Sequence, residues 1–107
     1  PEKALKSLRK FCQGDIVITL GAKGSIGLSG DEIIFQKSLP VNVIDTTGAG
    51  DVYHGAYIYG VLQGWDMPQC MNFASIASAL KCREIGARSG IPSLSEIKKY
   101  LDIDNYL

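Results

Sequence analysis

The sequence predicts an α/β fold, and three observations carry that prediction. First, a β-branched run, Asp15-Ile-Val-Ile-Thr-Leu20, stands between Gly14 and Gly21 and is too short for a buried helix, which suits a strand. Second, two segments over 49–63 and 67–83 are dense in apolar and small residues, as packed helices are. Third, a glycine-rich turn, Gly48-Ala-Gly-Asp51, falls where the chain passes from an extended run into the first of those helices.

Taken in order, Ala4, Leu5, Leu8 and Phe11 recur at helical spacing, and Gln13-Gly14 ends the pattern, so a helix is predicted over 2–12. The run 15–20 is apolar on both faces, which is expected of a central strand covered on both sides. Gly21-Ala-Lys-Gly24 is a tight turn, and Ser25 to Leu28 and Glu32 to Gln36 pair across Ser29-Gly-Asp31 as a hairpin. Pro40 interrupts, and Val41 to Ile44 run apolar toward Asp45. Asp66 followed by Pro68 gives a cap and an early helical proline for the second long helix. Residues 86–90 form a loop, and a last helix is predicted over 94–101.

Composition removes whole classes of function. Eleven basic residues balance eleven acidic ones in 107, with no run of one sign, so neither nucleic acid nor an anionic membrane surface is an expected partner. No apolar stretch approaches the ~20 residues that span a bilayer, and the N-terminus lacks the pattern of a secretory signal. Cysteines at 12, 70 and 82 form neither a CxxC pair nor a metal-ligand cluster, and free thiols in a reducing cytoplasm are expected. The chain opens on Pro1 and is expected to be one partial domain, 1–107.

The glycine turn carries the chemistry. Glycines at a strand-to-helix passage let successive N–H groups point outward, and the open N–H groups of a first helical turn add the positive end of the helix dipole, so such a turn can cradle a phosphate. A dinucleotide fingerprint starting at Gly48 would need glycine at 53, where Tyr53 stands, and no segment fits a Walker A loop. Asp51 follows the glycines directly. A carboxylate beside a transferring phosphoryl group is unfavourable unless it takes the proton of the attacking hydroxyl, which makes Asp51 a candidate general base.

Asp45-Thr-Thr-Gly-Ala-Gly-Asp51, with Tyr53 and Gly55 behind it, resembles the C-terminal signature of the ribokinase-like, or PfkB, carbohydrate kinases. Thr19-Leu-Gly-Ala-Lys-Gly24, the alanine-rich helix leading to Gly86-Ala-Arg88, and Ile91-Pro92 before a short closing helix match in place. The resemblance covers essentially the whole chain and implies the C-terminal part of a ribokinase-like three-layer α/β/α fold. It implies ATP-dependent phosphorylation of a primary hydroxyl of a small carbohydrate, with Asp51 as base and Gly48, Ala49 and Gly50 as the backbone anion hole for the γ-phosphate.

The same resemblance assigns Thr19, Gly21, Lys23 and Gly24 to the nucleotide phosphates and ribose, and Ser75 to the adenine side. It implies Mg2+ travelling with ATP, its acidic partners lying upstream of this chain, and a monovalent cation, K+, held at Asp45, Thr47, Gly86 and Gly90. The family's N-terminal sugar-binding part and lid are absent from these 107 residues, so the chain alone is expected to be inactive, and dimerisation through the lid belongs to the full-length protein. A non-catalytic nucleotide-binding or assembly fragment is the alternative.

Other residues carry weaker signals. His54, three residues after Asp51, could form a dyad but fits scaffold better. Tyr53, Tyr57 and Trp65 at helical spacing are expected in the core. Lys81 and Arg83 are expected to be a solvated helix end favoured by the dipole, while Arg88 in the loop keeps a phosphate contact open. Asp45 either caps a turn or orients the cation loop.

Overall fold

The computed structural model describes residues 2–9, 14–83 and 93–101. The elements are α1 (Glu2–Arg9), β1 (Ile16–Thr19), a 3-10 turn (Gly21–Lys23), β2 (Ser25–Ser29), β3 (Glu32–Gln36), α2 (Ala49–Leu62), α3 (Met67–Lys81) and α4 (Leu94–Lys98). The strands form one antiparallel sheet in the order β1-β2-β3. Ile16 pairs with Leu28 and Thr19 with Ser25, while Ser29 pairs with Glu32, so Gly30-Asp31 is a two-residue hairpin loop.

Alternation along β2 sends its side chains to two different helical layers. Ile26 and Leu28 meet Leu5 of α1 and Ile16 in one buried cluster. On the opposite face Gly27 lies against α3, where a Cβ would come within 2.8 Å of the Met67 sulfur and 3.0 Å of the Met71 sulfur. Helix, sheet and helix therefore make three layers. Arg9 fastens α1 to the sheet, its guanidinium donating to the carbonyls of Gly14 (2.7 Å) and Gly30 (3.1 Å).

The prediction that 15–20 is covered on both faces fails for the described residues. β1 is an edge strand; Ile16 is buried, Val17 and Ile18 are half-buried and Thr19 is exposed. An apolar strand needs a layer on each face, and here only the α1 face is closed. The other face opens on a hollow of about 390 Å³ shared with Gly50, Tyr53, His54 and Tyr57.

Helices α2 and α3 supply the second core. Phe73, Ile76, Ala77 and Leu80 bury with Ile97 of α4, and Val52, Ala56, Tyr59 and Trp65 pack around them. Close approach rests on Gly60, where a Cβ would stand 2.7 Å from Cys70 Sγ and 2.9 Å from the Trp65 ring. Tyr59 stacks on Phe73 and meets Trp65 edge-on, the geometries aromatic pairs prefer. Cys70 and Cys82 are free and buried; Cys12 lies outside the described residues. The predicted helix ends of 63, 83 and 101 shorten to 62, 81 and 98, where the last N–H groups turn to acceptors three residues back, as in Tyr100 to Ile97 (3.0 Å). Among the described residues no helix is long and apolar enough to cross a membrane.

Candidate active site at the start of α2

Local geometry at residues 44–52 opens the end of α2. Gly48 takes φ +79°, a left-handed conformation that favours glycine, and offers no side chain to cap the helix. Hydrogen bonds hold the loop before it. Asp45 Oδ1 accepts the Thr47 N–H at 2.8 Å, the Thr46 carbonyl accepts the Ala49 N–H at 3.0 Å, and the Cys82 carbonyl at the end of α3 accepts the N–H groups of Ile44 (2.8 Å) and Asp45 (3.2 Å). Ser78 Oγ donates to the Ala49 carbonyl at 3.1 Å. Regular helical bonding begins when Val52 donates to the Gly48 carbonyl at 3.0 Å.

Among the described residues no acceptor takes the N–H of Gly50 or Asp51, so these two donors open at the positive end of the helix. The N–H of Ala49, assigned from the sequence to the anion hole together with Gly48 and Gly50, is turned inward to Thr46. Asp51 stands exposed in the first turn.

Hollows flank this helix start on both sides. A small one of about 100 Å³ brings Thr19, Gly21, Gly24 and Ser75 together with Ala49 and Gly50, joined by Ser38, Tyr53 and Ser78. These are four of the five nucleotide candidates; Lys23 sits exposed on the 3-10 turn and does not line it. Gly24 has φ +105°, and a Cβ there would fall 2.0 Å from the Gln36 carbonyl oxygen, so glycine is required for the turn to lie against β3. A larger hollow of about 550 Å³ shares Gly21, Ser38, Ala49 and Ser78 and continues over Leu39, Pro40, Val41 and Val43 to Cys82. On Asp51's side lies an apolar hollow of about 440 Å³, walled by Val52, Ala56, Tyr59, Phe73 and Ala77.

Buried hydroxyls line the junction of sheet and helices. Tyr53 donates to Ser25 Oγ at 2.9 Å. Burial raises the Tyr53 phenol above its usual range, and the Ser25 and Ser75 hydroxyls pull it back only in part. Ser75 Oγ, on a side chain 5% exposed, stands beside that phenol without completing a hydrogen bond. Burial also carries Tyr57 up to about 12, with the negative forms of Cys70, Asp15 and Tyr53 adding to it. Tyr53 is buried, as expected of a core residue, whereas Trp65 and Tyr57 are only half-buried: Trp65 packs on the edge of the α2–α3 core and Tyr57 borders the hollow beside β1. His54 is exposed. Ser38, Ser78 and the 39–43 segment were not singled out from the sequence, and the one signal was an apolar run after Pro40 that forms no strand.

Lys81 departs from expectation. It is 0% exposed, and among the described residues no acceptor reaches its Nζ, whereas Arg83, half-exposed, pairs with Glu96 at 2.6 Å. Arg88, Gly86 and Gly90 lie outside the described residues.

Known proteins share this fold. The model of the pfkB family carbohydrate kinases matches residues 1–94. The chain belongs to the pfkB family. A ribokinase of Lactococcus lactis is 34% identical across 99% of this chain and 36% of its own length. An ATP-dependent 6-phosphofructokinase of Thermoanaerobacterium thermosaccharolyticum is 32% identical across 96% of the chain and 32% of its own. Among solved structures, a ribokinase from Thermotoga maritima superimposes with a TM-score of 0.87 at 28% identity, covering 92% of this chain and 33% of that one. An Arabidopsis thaliana ribokinase complexed with ribose and ATP gives 0.85 at 30% identity, covering 92% and 32%. The pfkB chain described here thus spans about a third of the length of these relatives.

Proposed function

We propose that this chain is a single partial domain, 1–107, forming the nucleotide side of an ATP-dependent kinase that phosphorylates a primary hydroxyl of a small carbohydrate. The observation that carries this reading is the start of α2. A carboxylate, Asp51, stands in the same turn as two N–H groups without acceptors among the described residues, with four of the five nucleotide candidates in a hollow on one side and an open hollow on the other.

In this reading Thr19, Gly21, Gly24 and Lys23 follow the nucleotide phosphates, and Ser75 lies toward the base, the 550 Å³ hollow that adjoins its small one through Gly21, Ser38, Ala49 and Ser78 giving apolar room for a purine. The N–H groups of Gly50 and Asp51, with Gly48 shaping the loop, receive the γ-phosphoryl oxygens and meet the charge that gathers there in the transition state. The Asp51 carboxylate accepts the proton of the sugar hydroxyl. As that proton leaves, the hydroxyl oxygen bonds to the γ-phosphorus, the bond from that phosphorus to the bridging oxygen breaks, and ADP departs with the electron pair.

Magnesium bound to ATP would neutralise phosphate charge. Among the described residues no group of three His, Cys, Asp or Glu could cage a metal ion, so the ion would be brought by the nucleotide. The acceptor side needs residues beyond these 107.

Titration of the chain with ATP, followed by its thermal unfolding, tests the nucleotide half: a saturable rise in Tm is expected, and none would sink the reading. Sugar-dependent ADP release is expected only when the chain is joined to a family sugar-binding part. ATP binding with no turnover in such joined proteins would favour a non-catalytic module.

A further inference from the structure

Among the described residues β3 closes the sheet on the side opposite β1, with β2 as its one strand neighbour. Exposed edges are normally blunted by lysine, proline or a bulge. From Glu32 to Gln36 there is neither lysine nor proline, and the pairing with β2 runs without a bulge from Ser29–Glu32 to Ser25–Gln36. In place of charge the strand shows apolar side chains to water: Ile33 is 36% and Phe35 56% exposed.

Ile33 stands opposite Leu28 and Phe35 opposite Ile26, so both share the face on which Leu28 and Ile26 are buried with Leu5 of α1. That cover stops short of β3. The backbone alternates as well. Ser29 and Glu32 close the two-residue loop, so Glu32, Ile34 and Gln36 turn their N–H and C=O groups to β2. The Gln36 carbonyl oxygen, 2.0 Å from where a Cβ on Gly24 would stand, agrees with that direction. Ile33 and Phe35 therefore turn their backbone groups outward, and these are the two residues whose side chains are uncovered.

Open backbone groups and apolar side chains on the same residues are completed by another strand, and the flanks of β3 select a second copy of itself. Laid antiparallel about Ile34, two copies set Ile33 against the partner's Phe35 and the exposed Asp31 against the partner's exposed Lys37. Symmetry repeats both pairs, and each Ile33–Phe35 pair exchanges both of its N–H···O=C bonds. Aromatic with β-branched and acid with base are pairs that favour an antiparallel ladder. Slipped one step either way, Phe35 would face Asp31 or Ile33 would face Lys37. Eleven basic and eleven acidic residues leave no net charge to hold two copies apart. We propose that β3 joins two copies of this chain, two-fold about Ile34, into one continuous sheet. Pairing there lies beyond the kinase reading, whose site is built on the start of α2 and the Gly21–Gly24 turn.

Sedimentation of the chain over a range of concentrations tests this, with a covalent bridge to read the register. Wild type is expected to form a reversible dimer. Phe35→Lys, which puts a charge on the edge, is expected to raise the dissociation constant at least about tenfold, with the monomer still folded. Lys37→Glu sets like charges at both flanks and is expected to weaken association about fivefold; adding Asp31→Lys to it restores the wild-type value. Under oxidation Ile34→Cys is expected to bridge to its own copy, because residue 34 forms the non-hydrogen-bonded pair at the axis, about 4.5 Å apart at Cα. Ile33→Cys is expected not to bridge, and wild type, oxidised alongside, reads any bridge through the native cysteines.

A wild-type chain that stays monomeric at the highest concentration reached overturns the proposal. So does a dimer that Phe35→Lys leaves intact, since the contact then lies elsewhere, and so does a bridge by Ile33→Cys in place of Ile34→Cys. Should Ile34→Cys not fold, Phe35→Lys and the charge exchange at Asp31 and Lys37 still decide. The chain joined to a family sugar-binding part is expected to give the same Ile34→Cys bridge. Its absence there would assign the β3 edge to that part and overturn pairing with a second copy.

Discussion

α2 and α3 begin with the same physical problem and solve it in opposite ways. Each helix start leaves N–H groups without intrahelical acceptors. At α3 the chain closes them itself: Asp66 Oδ1 accepts the Gln69 N–H at 2.9 Å, Gln69 Oε1 accepts the Asp66 N–H at 3.0 Å, and Pro68 at the start of the helix contributes no N–H. At α2 the capping residue is Gly48, without a side chain, and Gly50 and Asp51 keep their N–H groups open. A capped start serves stability. An uncapped one, held from behind by Cys82, Ser78 and Asp45, leaves two donors open, as the anion site of the proposed function requires.

The comparison breaks most decisively at Asp51. In a joined, sugar-phosphorylating protein, Asp51→Asn keeps the size and the helix start but removes the proton acceptor, so kcat is expected to fall about 10²- to 10⁴-fold while the ATP-induced rise in Tm persists. Equal kcat in the variant would return Asp51 to the role of a mere first-turn acid. Next in size comes Gly48→Ala. Its φ of +79° costs a side-chain-bearing residue about 1–2 kcal/mol, read as a lower Tm. ATP affinity should fall about tenfold as well, the worth of one disturbed charge-assisted hydrogen bond.

Much of this contrast was legible in residues 45–69. The cap at Asp66 with Pro68 and the glycine turn both follow local rules, and the hairpin over 25–36 needed only alternation around a two-residue loop. What escaped depended on distance. Nothing local shows that 15–20 lies at the edge of the described sheet, because cover on a strand comes from elements far along the chain. Lys81 misled for the same reason: a basic residue in a last helical turn is favoured by the dipole wherever it points, and only the antiparallel packing of α2 on α3 decides that it points inward. Ser38 and Ser78 joined the candidate site through packing alone, one from a loop and one from mid-helix.

Asp66→Ala sharpens the comparison from the other side. Loss of the capping box is expected to cost about 1 kcal/mol in Tm or denaturant midpoint, with ATP affinity unchanged. A matching loss of affinity would mean that the two helix ends are coupled through the α2 and α3 packing rather than separate in purpose.

The smallest effect is confined to alkaline solution. Tyr57 titrates at about 12 in the fold, raised chiefly by burial from the usual 10. The folded state thus holds a proton that the unfolded chain releases first, and the contribution of Tyr57 to stability is complete below about pH 10 and lost as pH climbs toward about 12. In that window wild-type Tm should drop, and Tyr57→Phe, with no proton to lose, should drop less steeply although the two curves run parallel below it. Tyr53 keeps part of the slope in the variant, since its phenol is raised as well. An unchanged slope would place Tyr57 in water, and with it the hollow between β1 and α2.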